Sequence, residues 1–244
     1  MNGKSHMCFG FGAFLGVCAA DMAINGKCTM SYPELAVGLG SCIIGSLAPD
    51  IDHPQSKISN ADIGLGLLSR GVCTVTSHRR HTHTLVFCVL GGVAAYLLAL
   101  LTIRHANSSV AFLAALSVFI LLHLDETSGA KRYASIIAVC VYFGLPIALG
   151  LIPVDIPTVT IPASFAKYVG IFFAAGWFSH LFADALCIQG VPMAWPIVPM
   201  NKHLRLAPIE TGGILETIVT TAVSVLFVGC AYLLYRAGYF MLPF

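Results

Sequence analysis

Three short motifs in the chain are made of residue types that bind metal ions. The main candidates are two residues in each motif: Asp50 and Asp52 in APDIDHP, His78 and His83 in SHRRHTHT, and His180 and Asp184 in FSHLFAD. Imidazole and carboxylate are common ligands of divalent ions such as zinc, manganese and iron. The three motifs therefore predict a metal site with nitrogen and oxygen ligands and no thiolate.

The spacing within two motifs suits a shared site. Asp50 and Asp52 follow Pro49, and in extended backbone residues i and i+2 point the same way, so both carboxylates can face one ion. Turn-forming aspartates beside proline are the alternative. His180 and Asp184 lie four residues apart and share one helical face. Ionisable residues inside an apolar helix are usually functional, and the alternative is a structural pair in which Asp184 orients His180.

The SHRRHTHT motif has three histidines within six residues. A basic flank at the membrane interface explains Arg79 and Arg80, but it does not explain His78, His81 and His83. We assign metal binding to His78 and His83, and we regard His81 as the weaker candidate.

Two further residues lie on the same side of the predicted membrane. His6 precedes the first apolar segment and Glu216 opens the last, where the helix dipole favours a carboxylate without any function. We predict catalytic roles for Asp52 and His83. The full set of predicted metal ligands is His6, Asp50, Asp52, His78, His83, His180, Asp184 and Glu216.

The composition indicates an integral membrane protein. Of the 244 residues, 57% are hydrophobic and 10% are charged, and the mean hydropathy is +0.86. Soluble domains have about 25% charged residues. A net charge of +2 does not indicate a nucleic-acid-binding surface. The nine cysteines form no CxxC pair, which argues against a disulfide framework or a cysteine zinc cluster.

The elements that must position the motifs are apolar helices. We predict an all-α, polytopic membrane bundle in a single domain, 1–244, with five to seven spanning helices. We expect the first to be retained rather than cleaved as a signal peptide. The apolar segments are 7–24, 34–48, 84–103, 110–124, 133–152, 165–187 and 214–235.

The connections between these segments alternate between two sides of the membrane. One side carries nine of the thirteen Lys and Arg residues and all three motifs, so the positive-inside rule makes it cytoplasmic. Two loops on this side, 49–83 and 188–213, would carry or cap the site.

The motifs together resemble a known family. APDIDHPQS, SHRRHTHT and GWFSHLFADAL with the later GVPMAWP are similar, in order and approximate spacing, to the YdjM-type predicted membrane-bound metal-dependent hydrolases. The likeness covers roughly residues 5–216. Thr84 stands where the family usually has Ser, and His81 is an additional histidine.

The resemblance implies a bacterial inner-membrane protein with its ligands among the six residues of the three motifs. Some members are linked to LexA and the SOS response, and a phospholipase-like activity has been proposed for the family. Independently of the resemblance, paired metals suit phosphoester displacement, with metal-activated water as the nucleophile.

We therefore expect a metal-dependent hydrolase of a phospholipid or another amphiphilic phosphoester. Zinc or manganese would be the cofactor, with enough ligands for two ions, and Arg79, Arg80 or Arg205 could hold a phosphate. Two alternatives stay open at this point. One is a divalent-metal or proton-coupled transporter, and the other is a non-catalytic membrane protein with a structural metal site.

Overall fold

A computed structural model of the chain describes residues 1–53, 56, 59, 69–74, 79–105 and 162–240. The predicted apolar segments 110–124 and 133–152 lie outside these residues, and so does His78. The chain forms two compact units. The first comprises Met1–Leu97 and Ser164–Phe244, and it contains every other predicted site residue. The second comprises Leu98–Ala163, of which the structure describes only the two ends.

Helices account for nearly all the regular structure in the described residues. We number the α-helices α1 (Gly3–Asn25), α2 (Tyr32–Leu47), α3 (Leu85–His105), α4 (Ser164–Ala185) and α5 (Ile214–Arg236). There are also two 3-10 helices. Ala48–Asp52 directly follows α2, and His81–His83 comes just before α3. The described part of the chain has no strand, only isolated bridges that join Cys187 to Ile209 and Val191 to Leu204.

Local sequence signals fix the ends of the first helices. The side chain of Asn2 accepts hydrogen bonds from the backbone N–H groups of Lys4 and Ser5, which caps α1. Gly26 ends α1 with a φ of 69°, a left-handed conformation that glycine adopts without strain. At the start of α2, the Glu34 side chain accepts a hydrogen bond from the Ser31 N–H at 2.8 Å.

Helices α2 and α4 pack against each other with almost no side chain between them. A Cβ on Gly176 would lie 2.0 Å from the carbonyl oxygen of Cys42, and a Cβ on Gly45 would lie 2.2 Å from that of Phe173. Glycine is therefore required at both positions for this approach. The contact brings the C-terminal turn of α2 within hydrogen-bond reach of His180 on α4.

Three helical segments are long and apolar enough to cross a membrane: Gly3–Asn25, Tyr32–Asp52 and Ile214–Arg236. Leu85–Leu101 is a shorter apolar helix. For the described residues, the prediction of an all-α membrane protein is confirmed. The predicted number of seven spans is not confirmed. Helix α4 overlaps the predicted segment 165–187 but is not one of the three.

The backbone of the APDIDHP motif differs from the prediction. Asp50 and Asp52 lie in the 3-10 helix Ala48–Asp52, not in extended backbone. With about three residues per turn, residues i and i+2 of a 3-10 helix point in different directions. The two carboxylates therefore contact opposite sides of the His83 ring, Asp50 at Nε2 and Asp52 at Nδ1.

Candidate metal centre

Side chains from four segments meet in a buried cluster within the first unit. His6 comes from the first turns of α1, Asp50 and His83 from the two 3-10 helices, and His180 and Asp184 from the end of α4. The three histidines are fully buried, and Asp184 is 1% exposed. Asp50 is the most accessible member, with 19% of its side chain exposed. The fold thus brings residues of all three motifs together.

A backbone carbonyl determines which nitrogen of His180 can bind a cation. Nδ1 of His180 lies 2.8 Å from the carbonyl oxygen of Ser46. Because a carbonyl oxygen only accepts hydrogen bonds, Nδ1 carries the proton of the neutral ring, and the lone pair is on Nε2. Ser46 thus orients His180 in the way that ligand histidines are usually oriented.

The Thr82 hydroxyl and the Asp52 carboxylate determine in a similar way which nitrogen of His83 can bind a cation. Thr82 donates its hydroxyl hydrogen to Oδ2 of Asp52, and its oxygen lies 3.0 Å from Nδ1 of His83. Since the Thr82 hydrogen is already donated, its oxygen accepts from His83 Nδ1, and the lone pair of His83 is on Nε2. Oδ2 of Asp52 itself lies 3.5 Å from the same Nδ1 atom. Asp52 therefore stands behind His83, on the side away from His180.

The two Nε2 atoms face each other. They lie 3.1 Å apart, and in the neutral tautomers derived above neither carries a hydrogen. Two lone pairs at this distance repel unless a cation, either a proton or a metal ion, lies between them. The geometry is therefore that of a pair of ligands directed at one cation.

Two carboxylates flank this pair of nitrogens. Oδ1 of Asp50 lies 3.6 Å from Nε2 of His180 and 3.9 Å from Nε2 of His83. Oδ2 of Asp184 lies 3.6 Å from Nε2 of His83 and 3.8 Å from Nε2 of His180. Two groups of potential ligands result, one of Asp50, His83 and His180 and the other of His6, His180 and Asp184, each with its ligand atoms within 4.8 Å of one another.

His6 fits the second group by distance but less well by orientation. Its ring stacks on that of His180, with centroids 3.7 Å apart and planes 12° from parallel. The in-plane lone pairs of two parallel rings do not converge on one point, so a shared ion would require one ring to turn. Nε2 of His6 instead lies 3.0 Å from the carbonyl oxygen of Met1, and its buried Nδ1 has no hydrogen-bond partner.

Asp184 also faces two positive groups. The amino group of Met1 lies 2.5 Å from Oδ1, and Nε of Arg79 lies 3.2 Å from Oδ2. The amino group is also 3.3 Å from Sγ of Cys187. Burial lowers the pKa of this amino group, but the attraction of Asp184 and Cys187 outweighs burial, so its pKa is raised. The Asp184 carboxylate is thus held in place from several directions.

Glu216 is not brought into either ligand group. Its Oε1 accepts hydrogen bonds from the Asn2 N–H and the Ser5 hydroxyl, and its Oε2 accepts one from the Gly212 N–H, all at 2.6 Å. These bonds tie the start of α5 to the start of α1. His81 is also in neither group, and its ring lies edge-on to Trp195 at a centroid distance of 5.4 Å.

Three residues contact the cluster in ways that were not predicted from the sequence. Thr82 lies between two histidines in HTHT, and that position beside a ligand was a usable signal. Arg79 was considered only as a phosphate-binding residue, although it contacts Asp184. Ser46 acts through its backbone carbonyl, which any residue could supply, so its side chain carries no signal.

Taken together, fold and site define a helical membrane protein with a buried His/Asp cluster suited to a metal ion. The family model described as "YdjM inner membrane protein" matches residues 1–128, which is more than half of the chain. The protein belongs to this family, as its motifs had indicated, and it is an inner-membrane protein. The match includes His6, Asp50, Asp52 and His83 and ends before His180. Neither the curated proteins nor the solved structures provide a match.

Proposed function

We propose that the protein is a metal-dependent hydrolase of the inner membrane, with a phosphoester such as a phospholipid as its substrate. The observation that carries the proposal is the 3.1 Å distance between Nε2 of His83 and Nε2 of His180. Both rings are held by their Nδ1 atoms so that their lone pairs are directed at each other.

The magnitude of this distance supports a metal ion. A zinc–nitrogen bond is about 2.0–2.1 Å long, so two nitrogens on one ion lie about 2.9–3.4 Å apart for bond angles between octahedral and tetrahedral. The observed separation falls within this range. The oxygens of Asp50 and Asp184 lie 3.6–3.9 Å from these nitrogens, close enough for either carboxylate to bind the same ion.

The number of lone pairs that His180 can offer favours one bound ion over two. Both potential ligand groups contain His180, whose Nδ1 donates to Ser46 and which therefore offers one lone pair. One lone pair serves one ion. A second ion, which the number of ligand residues had suggested, would have to be held without His180. We therefore propose a mononuclear centre, with zinc or manganese as the ion.

Each side chain then has a distinct role. A divalent ion in this position would activate a water molecule and polarise a phosphoryl oxygen. His83 and His180 would hold the ion, with Asp50 or Asp184 as a further ligand. Asp52, predicted as a catalytic residue, would act instead as a positioning residue that orients His83 through Thr82.

The accessibility of the ligands suggests how substrate reaches the centre. Asp50 is 19% exposed, whereas His83 and His180 are fully buried. We propose that water and substrate approach from the side of Asp50. The excess of Lys and Arg on the side of the three motifs supports an approach from the cytoplasmic face of the membrane.

Metal analysis of the purified full-length protein tests the first part of the proposal. We expect about one zinc or manganese ion per chain in the wild type, as a site of three to four ligands implies. His83→Ala and His180→Ala should lose the ion, whereas His203→Ala, which removes an exposed histidine, should keep it. A wild type without bound metal after reconstitution with each ion would overturn the proposal.

A substrate screen tests the hydrolase part. The metal-loaded protein in lipid nanodiscs should hydrolyse at least one phospholipid or soluble phosphoester, and a chelator should abolish the activity. Ion flux into proteoliposomes is the matched measurement for the transporter alternative. Metal-dependent flux without hydrolysis would refute the hydrolase, and bound metal with neither activity would indicate a structural site.

A further inference from the structure

Arg79 is buried beside the centre with part of its hydrogen-bonding capacity unused. Its exposed fraction is 9%, and its Nε and Nη1 atoms have no hydrogen-bond partner. Nε lies 3.2 Å from Oδ2 of Asp184, but this contact does not have the geometry of a hydrogen bond. A buried charged group that leaves N–H donors unsatisfied is unfavourable. A missing acceptor is therefore the simplest explanation for this geometry.

The backbone at Arg79 is also unusual. Its φ is 60°, and it is the only non-glycine residue with positive φ in the described part of the chain. Such a conformation costs about 1–2 kcal/mol for a residue with a Cβ. Strain of this kind persists mainly at ligand sites and switches. Here it accompanies a buried side chain at position 79, while the neighbouring Arg80 is exposed.

We propose that Arg79 binds the phosphate group of a ligand at the edge of the metal centre. The planar guanidinium presents paired N–H donors whose geometry matches two oxygens of a phosphate. The contact with Asp184 places these donors next to a proposed metal ligand. A phosphate bound there would meet the unsatisfied donors of Arg79 and lie within reach of the ion.

This inference deepens the proposed function and rests on it in one respect, namely that the phosphate belongs to the substrate. The binding of an anion by Arg79 does not itself require metal or hydrolysis. Two sources share the chemistry, a lipid phosphate headgroup and a free phosphate. The experiment is arranged to separate these sources and to separate the anion site from the metal site.

The probe is inorganic phosphate, titrated by calorimetry into the full-length protein in nanodiscs of phosphatidylcholine, with and without added metal. We expect Arg79→Gln to weaken phosphate binding about tenfold or more, as loss of a charge-assisted pair implies. Arg79→Lys, which keeps the charge but not the planar fork, should bind with intermediate affinity. Arg70→Gln is the matched control, because Arg70 is an exposed arginine to which no role in binding is assigned, and it should bind as the wild type does.

Three further measurements make the result decisive. Helix content by circular dichroism shows that each variant is folded, and if Arg79→Gln is not, the comparison of Arg79→Lys with the wild type replaces it. Phosphatidic acid in the nanodisc should displace the bound phosphate if the ligand is a lipid, and its failure to do so assigns the site to a soluble phosphate. Metal content, measured separately, decides the metal centre whatever the anion does.

Wild-type affinity for phosphate in Arg79→Gln and Arg79→Lys would overturn the inference. So would the absence of phosphate binding to the wild type in both metal states. If phosphate binds in an Arg79-dependent way to a protein that takes up no metal, the anion site stands and the proposed hydrolase fails.

Discussion

Thr82 donates its hydroxyl hydrogen to Asp52, whose carboxylate lies on the Nδ1 side of His83, away from the Nε2 atom that faces His180. The oxygen of Thr82 lies 3.0 Å from Nδ1 of His83, so the threonine links the carboxylate to the imidazole. Trp177 on α4 donates its indole N–H to the backbone carbonyl of Thr82 at 2.9 Å and holds this turn in place. One residue between two histidines therefore sets the tautomer of His83.

Removing the Thr82 hydroxyl should weaken metal binding without removing a ligand. Thr82→Val leaves His83 and Asp52 in the chain but breaks the link between them, and loss of such an orienting group typically lowers metal affinity about 10–100-fold. Thr82→Ser keeps the hydroxyl and should restore most of the affinity. Competition with a chromophoric chelator measures the change, and Thr217→Val, at an exposed threonine, is the control. Equal affinities for Thr82→Val and the wild type would show that the link does not orient His83.

His6 and His83 should differ sharply as metal ligands. His6 stacks on His180 with the planes 12° from parallel, whereas the Nε2 atoms of His83 and His180 face each other at 3.1 Å. His6→Phe keeps an aromatic ring for stacking and should retain about one bound ion per chain. His83→Phe should lose the ion. Metal content after dialysis compares the two, and a metal-free His6→Phe that is still folded would make His6 a ligand, as the sequence had predicted.

The sequence predicted which motifs meet, but not how each side chain is used. Ionisable residues in a chain that is 10% charged were a strong signal, because a membrane segment tolerates them only at a functional or paired position. Asp50, His83, His180 and Asp184 were predicted as ligands on this basis, and the structure brings them together. His78 lies outside the described residues, so its predicted role stays a prediction.

The prediction was wrong where it depended on backbone conformation. A spacing of two residues suggested that Asp50 and Asp52 face one ion, but the 3-10 helix after α2 turns them apart. The alternative readings for Glu216 could not be separated from sequence, because its partners are backbone N–H groups at Asn2 and Gly212, which carry no residue-specific signal. The tautomer of His180 likewise depends on a carbonyl group.

The contact between α2 and α4 should control the metal site from a distance. A Cβ at Gly176 would lie 2.0 Å from the Cys42 carbonyl oxygen, so Gly176→Ala must push the helices apart. Overpacking of this kind destabilises proteins by about 1–3 kcal/mol, and here it also moves His180 away from Ser46. Thermal unfolding in detergent should show a lower midpoint, together with reduced metal affinity.

The matched control for Gly176 lies on α2. A Cβ at Gly40 would meet no atom within 4 Å, so Gly40→Ala should leave both the unfolding midpoint and the metal affinity unchanged or slightly raised. If Gly176→Ala behaves like Gly40→Ala, the helices tolerate separation, and the orientation of His180 does not depend on their close contact.

Glu216 provides a test that separates a structural carboxylate from a metal ligand. Its oxygens accept three hydrogen bonds from the N-terminal turn of α1 and from Gly212, and the residue is 1% exposed. Glu216→Gln keeps the size but replaces an acceptor oxygen by a donor that faces other donors, which should destabilise the fold by about 1–3 kcal/mol. Because Glu216 lies in neither ligand group, the folded variant should bind as much metal as the wild type.

Glu210→Gln, at an exposed carboxylate six residues earlier, should change neither the stability nor the metal content. A folded Glu216→Gln protein that has lost its ion would instead support the original prediction that this carboxylate binds the metal.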